Sequence, residues 1–205
     1  MFEPSHIAQP AHLLPLRKII IVLGLTGFGK SVWTREYVAT APRLFVWDPV
    51  ASYNVEWMEQ DELIEALDDG RLDKKFRVGS FDPDAHELLG SLAFLQGNNT
   101  LVMEEASLIF TKGARIEPWA SQIIFLGRHR ATSLVITAQR ATSIPIELRS
   151  QAHRVVSFAQ TDGDDLKALR SFFGDRHREL SELQPLECFD AGPGGRDFSH
   201  YTIRP

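Results

Sequence analysis

The apolar and polar positions along the chain fall into short uninterrupted apolar runs separated by stretches with helical spacing. The first run is Ile19-Ile20-Ile21-Val22-Leu23. A β-branched run without polar alternation predicts a strand buried on both faces. Comparable runs predict strands at 44–47, 76–78, 101–103, 133–138 and 154–158. Between them, residues 31–40 read as a helix with Val32, Tyr37 and Val38 on its buried side. Residues 61–69 read as a short acidic helix stopped by Gly70. Leu88, Leu89, Leu92 and Leu95 lie at helical spacing and predict a core-facing helix over 84–95. Pro118 opens a helix over 118–129 with Ile123, Ile124 and Leu126. A helical turn follows at 145–151, then helices at 162–173, with Asp162 as N-cap, and at 176–183. Residues 186–189 and 201–203 pair as a terminal hairpin around Gly192 to Gly195. Strands alternating with helices make this an α/β chain with a mostly parallel central sheet, and its site belongs at the strand C-termini.

The chemistry begins where the first strand ends. Gly24-Leu25-Thr26-Gly27-Phe28-Gly29-Lys30-Ser31 spells G-x-x-x-x-G-K-S between a predicted strand and a predicted helix. Glycines let backbone N–H groups turn inward around a phosphate. The helix start adds free donors and a positive dipole end. Lys30 reaches the β- and γ-phosphates, and the Ser31 hydroxyl ligates Mg²⁺. The backbone from Gly24, Thr26, Gly27, Phe28 and Gly29 to Val32 completes the expected ATP-binding set.

Composition places these elements in one domain, residues 17–205, preceded by an arm at residues 1–16 that carries prolines and histidines but no signal-peptide pattern. No apolar run approaches the roughly 20 residues of a membrane helix. The single Cys188 excludes an intramolecular disulfide. The net charge of −5 argues against nucleic acid, but its distribution does not. Residues 106–156 hold Lys112, Arg115, Arg128, Arg130, Arg140, Arg149 and Arg154 against Glu117 and Glu147. That segment reads either as a face for phosphates or as solvated arginines pairing with the acidic half.

Three further groups carry candidate chemistry. Glu104-Glu105 closes the 101–103 strand, where P-loop enzymes hold their metal; one acid orients Mg²⁺ and the other polarises the attacking water. Gln139 ends the 133–138 strand and either reports on the γ-phosphate or caps a loop. Arg128 and Arg130 either stabilise a transferring phosphoryl or complement a helix C-terminus.

Together, Gly24 to Ser31, Val46-Trp47-Asp48, Leu101-Val102-Met103-Glu104-Glu105-Ala106, Gly127-Arg128-His129-Arg130 and Leu134 to Arg140 resemble the HerA–FtsK superfamily of DNA-pumping ATPases. Within it they look most like the small genome-packaging ATPases of double-stranded DNA viruses and phages. The resemblance implies a P-loop NTPase three-layer sandwich of the additional-strand (RecA-like) type, with the Gln139 strand inserted between the P-loop and Glu104 strands. It implies a trans-acting Arg128 or Arg130, a pentameric or hexameric ring, and double-stranded DNA as partner, with a capsid vertex or portal at the site of packaging. The matching location is the cytoplasm, that of the host for a viral protein, or the virion. Glutamate at 104 departs from the family's usual aspartate, which leaves the division of roles between Glu104 and Glu105 open. Glu105 is taken as base and Glu104 as metal ligand, with Lys112, Arg115 and Arg140 as DNA contacts. A nucleotide or small-molecule kinase, and a zonula-occludens-toxin-like phage morphogenesis ATPase, are the alternatives. The adjacent glutamates fit a kinase poorly, and the second group usually carries a membrane span.

Overall fold

Every side chain of β1 (Ile19–Leu23) is buried, and the strand's alternation divides it between two cores. Ile19, Ile21 and Leu23 face one, and Ile20 and Val22 face the other. That double burial is why the run reads as continuously apolar. The computed structural model describes residues 18–110 and 116–204. The expected arm at 1–16 and the candidates Lys112 and Arg115 lie outside the described residues.

Around β1 the described residues form α1 (Lys30–Tyr37), β2 (Arg43–Trp47), β3 (Glu56–Trp57), α2 (Gln60–Asp68), β4 (Phe76–Ser80), α3 (Ala85–Gln96) and β5 (Asn99–Met103). There follow α4 (Pro118–Leu126), β6 (Thr132–Ala138), α5 (Ile146–Ser150), β7 (Arg154–Ser157), α6 (Gly163–Phe173), β8 (Glu187–Ala191) and β9 (Ser199–Thr202). The strand order is β3-β4-β2-β5-β6-β1-β7-β8-β9. Strands β1 to β7 run parallel, and β8 and β9 form the antiparallel hairpin, with Cys188 opposite Tyr201. β6 lies between β5 and β1, the inserted position that defines the additional-strand P-loop sandwich.

Helices α2 to α6 cover one face through residues such as Leu63, Leu89, Trp119, Leu148 and Phe172. Trp33 of α1 and Val38, which caps it, cover the other. Asp162 caps α6 as expected, accepting from the Asp164 and Asp165 N–H groups. Several local expectations needed correction. The helix predicted over 31–40 ends at Tyr37, and its buried residues are Lys30, Trp33 and Thr34. Val38 is buried and Val32 packs partly buried against the same core while also lining a cleft, as expected of that side, whereas Tyr37 stacks on Trp33 at 5.0 Å and stays partly exposed. Leu95 and Leu126, both in the last turn of their helices, are exposed. The helix over 118–129 tightens into a 3₁₀ turn at Gly127–His129, and the one over 176–183 is a 3₁₀ segment, Gly174–Ser181. The edge strand β3, only two residues long, has no periodicity to reveal it.

Candidate nucleotide site

Parallel strands deliver their C-terminal residues to one edge, and a cleft of about 470 Å³ opens there. Gly24 leaves β1 at φ +146°, Gly27 turns at φ +81° and Gly29 caps α1 at φ +115°. The last two conformations are ones that L side chains rarely adopt. A Cβ on Gly24 would stand 2.5 Å from the Cβ of Phe158, the residue after β7, so the chain leaving β7 packs directly against the loop. The loop therefore exposes backbone N–H groups at the α1 start, where a phosphate is favoured.

Lys30 is buried at the foot of this cradle. Its Nζ donates to the Gly24 carbonyl at 2.8 Å and the Leu25 carbonyl at 3.3 Å. Burial holds its pKa below the ordinary lysine value, against the opposing pull of Glu105 and Glu104. The ammonium is thus held by two loop carbonyls that a phosphate, as the stronger acceptor, would replace.

The two glutamates occupy different surroundings. Glu104 is 6% exposed. Tyr53 donates to its Oε1 at 2.5 Å, Thr137 to Oε2 at 2.5 Å, and Ser31 Oγ lies 3.5 Å from Oε2. Burial drives its carboxyl above the ordinary glutamate range, and Asp48 adds to that, while the Thr137 and Tyr53 hydroxyls counter it. The Tyr53 phenol is pushed up by burial and then by the Glu104 charge, so it remains a donor. Glu105 is half-buried, in a left-handed conformation at φ 49° that turns it away from its neighbour. Its N–H donates to Thr137 Oγ1 at 2.9 Å. Its carboxylate accepts from Ser107 at 2.5 Å and from Gln139 Nε2 at 3.3 Å. Both acids, Ser31, Lys30 and Gln139 line the same cleft. Asp48 closes the β2 side, accepting from the Val50 and Ser52 N–H groups and the Ser52 hydroxyl.

The donor set fits Mg²⁺. Ser31 and Glu104 present hard oxygens to one spot, and no cluster of three or more His, Cys, Asp or Glu side chains exists among the described residues. Mg²⁺ is typically held by one or two protein oxygens together with substrate phosphates and water.

The two arginines ahead of β6 stand elsewhere. Arg128 and Arg130 precede the N-terminal end of a seven-residue strand whose far end carries Gln139. At about 3.3 Å per residue that is roughly 23 Å from the cleft. Arg130 lies over the Phe94 ring at 5.6 Å, while Arg128 Nε bonds its neighbour His129, at 3.2 Å. Arg140 is at the cleft edge but pairs with Asp162 and the buried Asp165, both at 2.9 Å. Sequence reasoning missed Tyr53, Thr137 and Gln160. Gln160 is buried and donates to the Gln139 carbonyl at 2.9 Å. A buried hydroxyl or amide at a strand end has no sequence signature; only the burial of an otherwise unpaired acid calls for one.

One pH dependence follows. In metal-free protein the native Glu104 ionises later than the unfolded one, so the native state binds more protons above the ordinary value of about 4.5. Stability then falls as pH rises from there through the raised native value. Glu104→Gln cannot titrate. Its stability relative to the parent is expected to increase between pH 4 and pH 7 in urea denaturation with chelator present. A constant difference would show that burial does not control this carboxyl.

Fold and site together define the class: an α/β P-loop NTPase sandwich with an inserted strand and a C-terminal hairpin. A scan against protein-family models finds no match, and a search of the curated proteins finds none either. Solved structures do match. The genome-packaging NTPase B204 from Sulfolobus turreted icosahedral virus 2, in complex with sulfate, has a TM-score of 0.77 at 15% identity, covering 93% of this chain and 98% of that one. Structures of the same B204 contain AMPPCP and ATP-gammaS. The pCW3 conjugation coupling protein TcpA, with ATPgS, has a TM-score of 0.59 at 16% identity, covering 90% of this chain and 59% of that one. The N-terminal domain of zonular occludens toxin from Neisseria meningitidis reaches 0.50 at 13% identity, covering 92% and 95%. At these identities the likeness is one of fold, the fold shared by the packaging NTPase B204 and the coupling protein TcpA.

Proposed function

We propose that this chain is an ATP-hydrolysing motor that moves double-stranded DNA, with packaging of a viral genome into a procapsid as its task. The observation that carries the reading is the contrast between the two adjacent glutamates. Glu104 is buried, with both oxygens occupied by fixed hydroxyls, one of them 3.5 Å from the Ser31 side chain. Such a carboxylate can hold a metal, directly or through water, but has no room to take a proton from an attacking water. Glu105 opens to the cleft and is oriented by Ser107 and Gln139, as a general base needs to be.

The steps follow from these positions. Lys30 leaves its loop carbonyls for the β- and γ-phosphates, and the backbone from Gly24 through Val32 wraps them. Ser31 and Glu104 would hold Mg²⁺, which would neutralise charge on the phosphate oxygens. Glu105 takes the proton of the attacking water. Gln139 senses loss of the γ-phosphate and passes it to its neighbours. Its carbonyl is held by Gln160, and the adjoining Arg140 is tied to Asp165 of α6 and to Asp162, which caps that helix. Arg128 or Arg130 serves the cleft of an adjacent subunit in a pentameric or hexameric ring. Lys112, Arg115 and Arg140 contact DNA phosphates, which suits a motor indifferent to sequence. Residues 17–205 act as one ATPase domain, and residues 1–16 as its docking arm. The cytoplasm, or a capsid vertex, is where such a motor works. Among the described residues no helix is long and apolar enough to cross a membrane.

The test is ATP turnover with and without double-stranded DNA, for the parent and Lys30→Ala. DNA is expected to stimulate the parent, and Lys30→Ala to abolish turnover without unfolding the chain, because Lys30 serves the ligand. Undiminished turnover in Lys30→Ala would sink the P-loop assignment. Activity that ignores DNA would favour the zonula-occludens-toxin-like reading, which the likeness in fold to that toxin domain also supports.

A further inference from the structure

Helix α1 opens with the residues that meet the phosphates, and one side chain anchors it. Of its eight residues, one buries a large apolar side chain, Trp33. Trp33 stands three positions beyond Lys30 and two beyond Ser31, so whatever holds its indole also sets the rotation of those two residues about the helix axis. Apolar contact presses a helix onto a sheet but is non-directional, and leaves that rotation loosely fixed.

The missing direction comes from the end of the chain. The Trp33 Nε1 donates to the Tyr201 hydroxyl of β9 at 2.9 Å, and that hydroxyl donates to Asp190 Oδ2 of β8 at 2.9 Å. Asp190 is buried and accepts from both Nε and Nη2 of Arg154 in β7. Burial pushes the Tyr201 phenol up, so it keeps the proton it gives to Asp190 and stays an acceptor for Trp33. The series therefore ties α1 through β9 and β8 to β7. A second contact holds the loop itself. The Leu186 N–H, just before β8, donates to the Phe28 carbonyl at 3.0 Å. Ile203 Cδ1, just beyond β9, lies 2.9 Å from where a Gly29 Cβ would be. Phe28 and Trp33 bracket Gly29, Lys30, Ser31 and Val32, so the hairpin grips the phosphate-binding segment on both sides. Stability alone does not call for such a series, because apolar side chains of similar volume commonly replace a buried ion pair without loss. A satisfied polar network instead fixes one arrangement.

We propose that the C-terminal hairpin aims the phosphate-binding end of α1, and that Tyr201 is the positioning residue, its bond to Trp33 setting where Lys30 and Ser31 meet the phosphates and the metal. The inference rests on the ATPase reading of the cleft. No residue of β8 or β9 is among those lining the cleft, so the hairpin acts through α1 and the loop.

The experiment compares the parent, Tyr201→Phe, Trp33→Phe and the double variant. It measures affinity for ATP with Mg²⁺, the Mg²⁺ concentration at half-maximal turnover, and the urea midpoint. Tyr201→Phe keeps the ring and removes only the hydroxyl. It is expected to weaken ATP binding about fivefold, the scale of one neutral hydrogen bond, and to raise the Mg²⁺ requirement with it. Trp33→Phe is expected to weaken binding at least as much. The double variant should bind no more weakly than Trp33→Phe alone, because both substitutions break the same bond. A hydroxyl with a structural role alone would lower the urea midpoint but leave affinity and Mg²⁺ requirement of the folded protein at parent values, and that result would overturn the proposal. Losses that add in the double variant would overturn it too. A parent that fails to bind ATP with Mg²⁺ would instead bring down the nucleotide-site reading, and this inference with it.

Discussion

Protein carrying Glu105→Gln is expected to bind ATP and Mg²⁺ as the parent does and to hydrolyse at least a hundredfold more slowly. Positioned general bases contribute about 10²- to 10⁴-fold in rate, and an amide cannot accept the water's proton. The substitution is nearly isosteric, so the fold should survive it. The backbone bond from the Glu105 N–H to Thr137 does not involve the side chain, and Ser107 can still donate to the amide oxygen. Glu104→Gln should behave differently. It removes the charge facing Ser31, so the concentration of Mg²⁺ needed for half-maximal turnover should rise. Nucleotide binding and single-turnover hydrolysis, measured across a magnesium titration, separate the two. If the phenotypes come out exchanged, Glu104 is the base despite its burial, and the roles assigned here are reversed.

Arg128→Ala is expected to cost about three to five powers of ten in turnover if it completes a neighbour's site, as arginine fingers do in P-loop enzymes. The structure already excludes service to its own cleft, which lies at the far end of β6. It also separates the two candidates. Arg130 is engaged over Phe94, and its carbonyl accepts from the Asn98 N–H, so it has structural work. Among the described residues Arg128 bonds its neighbour His129 and is the freer of the two. An Arg128→Ala subunit keeps an intact P-loop but has no finger to offer, and a Lys30→Ala subunit has the reverse defect. Mixing the two should restore part of the turnover. The alternative is that Arg128 merely complements the C-terminal end of α4, worth about 0.3 to 1 kcal/mol. Turnover normalised to folded protein would then be nearly unchanged. A defect without rescue in the mixture would remove the inter-subunit site.

Some of this site was legible residue by residue. The phosphate loop is local: its glycines, Lys30 and Ser31 act within one turn of chain, so their spacing carries their geometry. Glu104, Glu105 and Gln139 were legible because a buried strand ends in a polar residue only where the sheet edge opens. Tyr53, Thr137 and Gln160 were not. Each matters through a partner distant in sequence, and none departs from ordinary composition in its neighbourhood. The terminal hairpin was predicted as a pair of strands, but nothing in its own residues said that it closes against the phosphate loop.

The sequence by itself determined the alternation of strands and helices, the phosphate loop and the acids that face it. Apolar runs and glycine spacing express short-range sterics and burial, which act whatever the tertiary neighbours are. The insertion of β6 between β1 and β5 was implied by the family resemblance, but only the tertiary structure decided that it brings Thr137 and Gln139 onto the two glutamates. It decided that Glu104 is buried and Glu105 open, a distinction between adjacent identical residues that rests on one left-handed turn of backbone. It also placed Arg128 and Arg130 at the sheet edge away from the cleft. Strand pairing is set by long-range packing of the two cores, and no local pattern encodes which strand becomes whose neighbour.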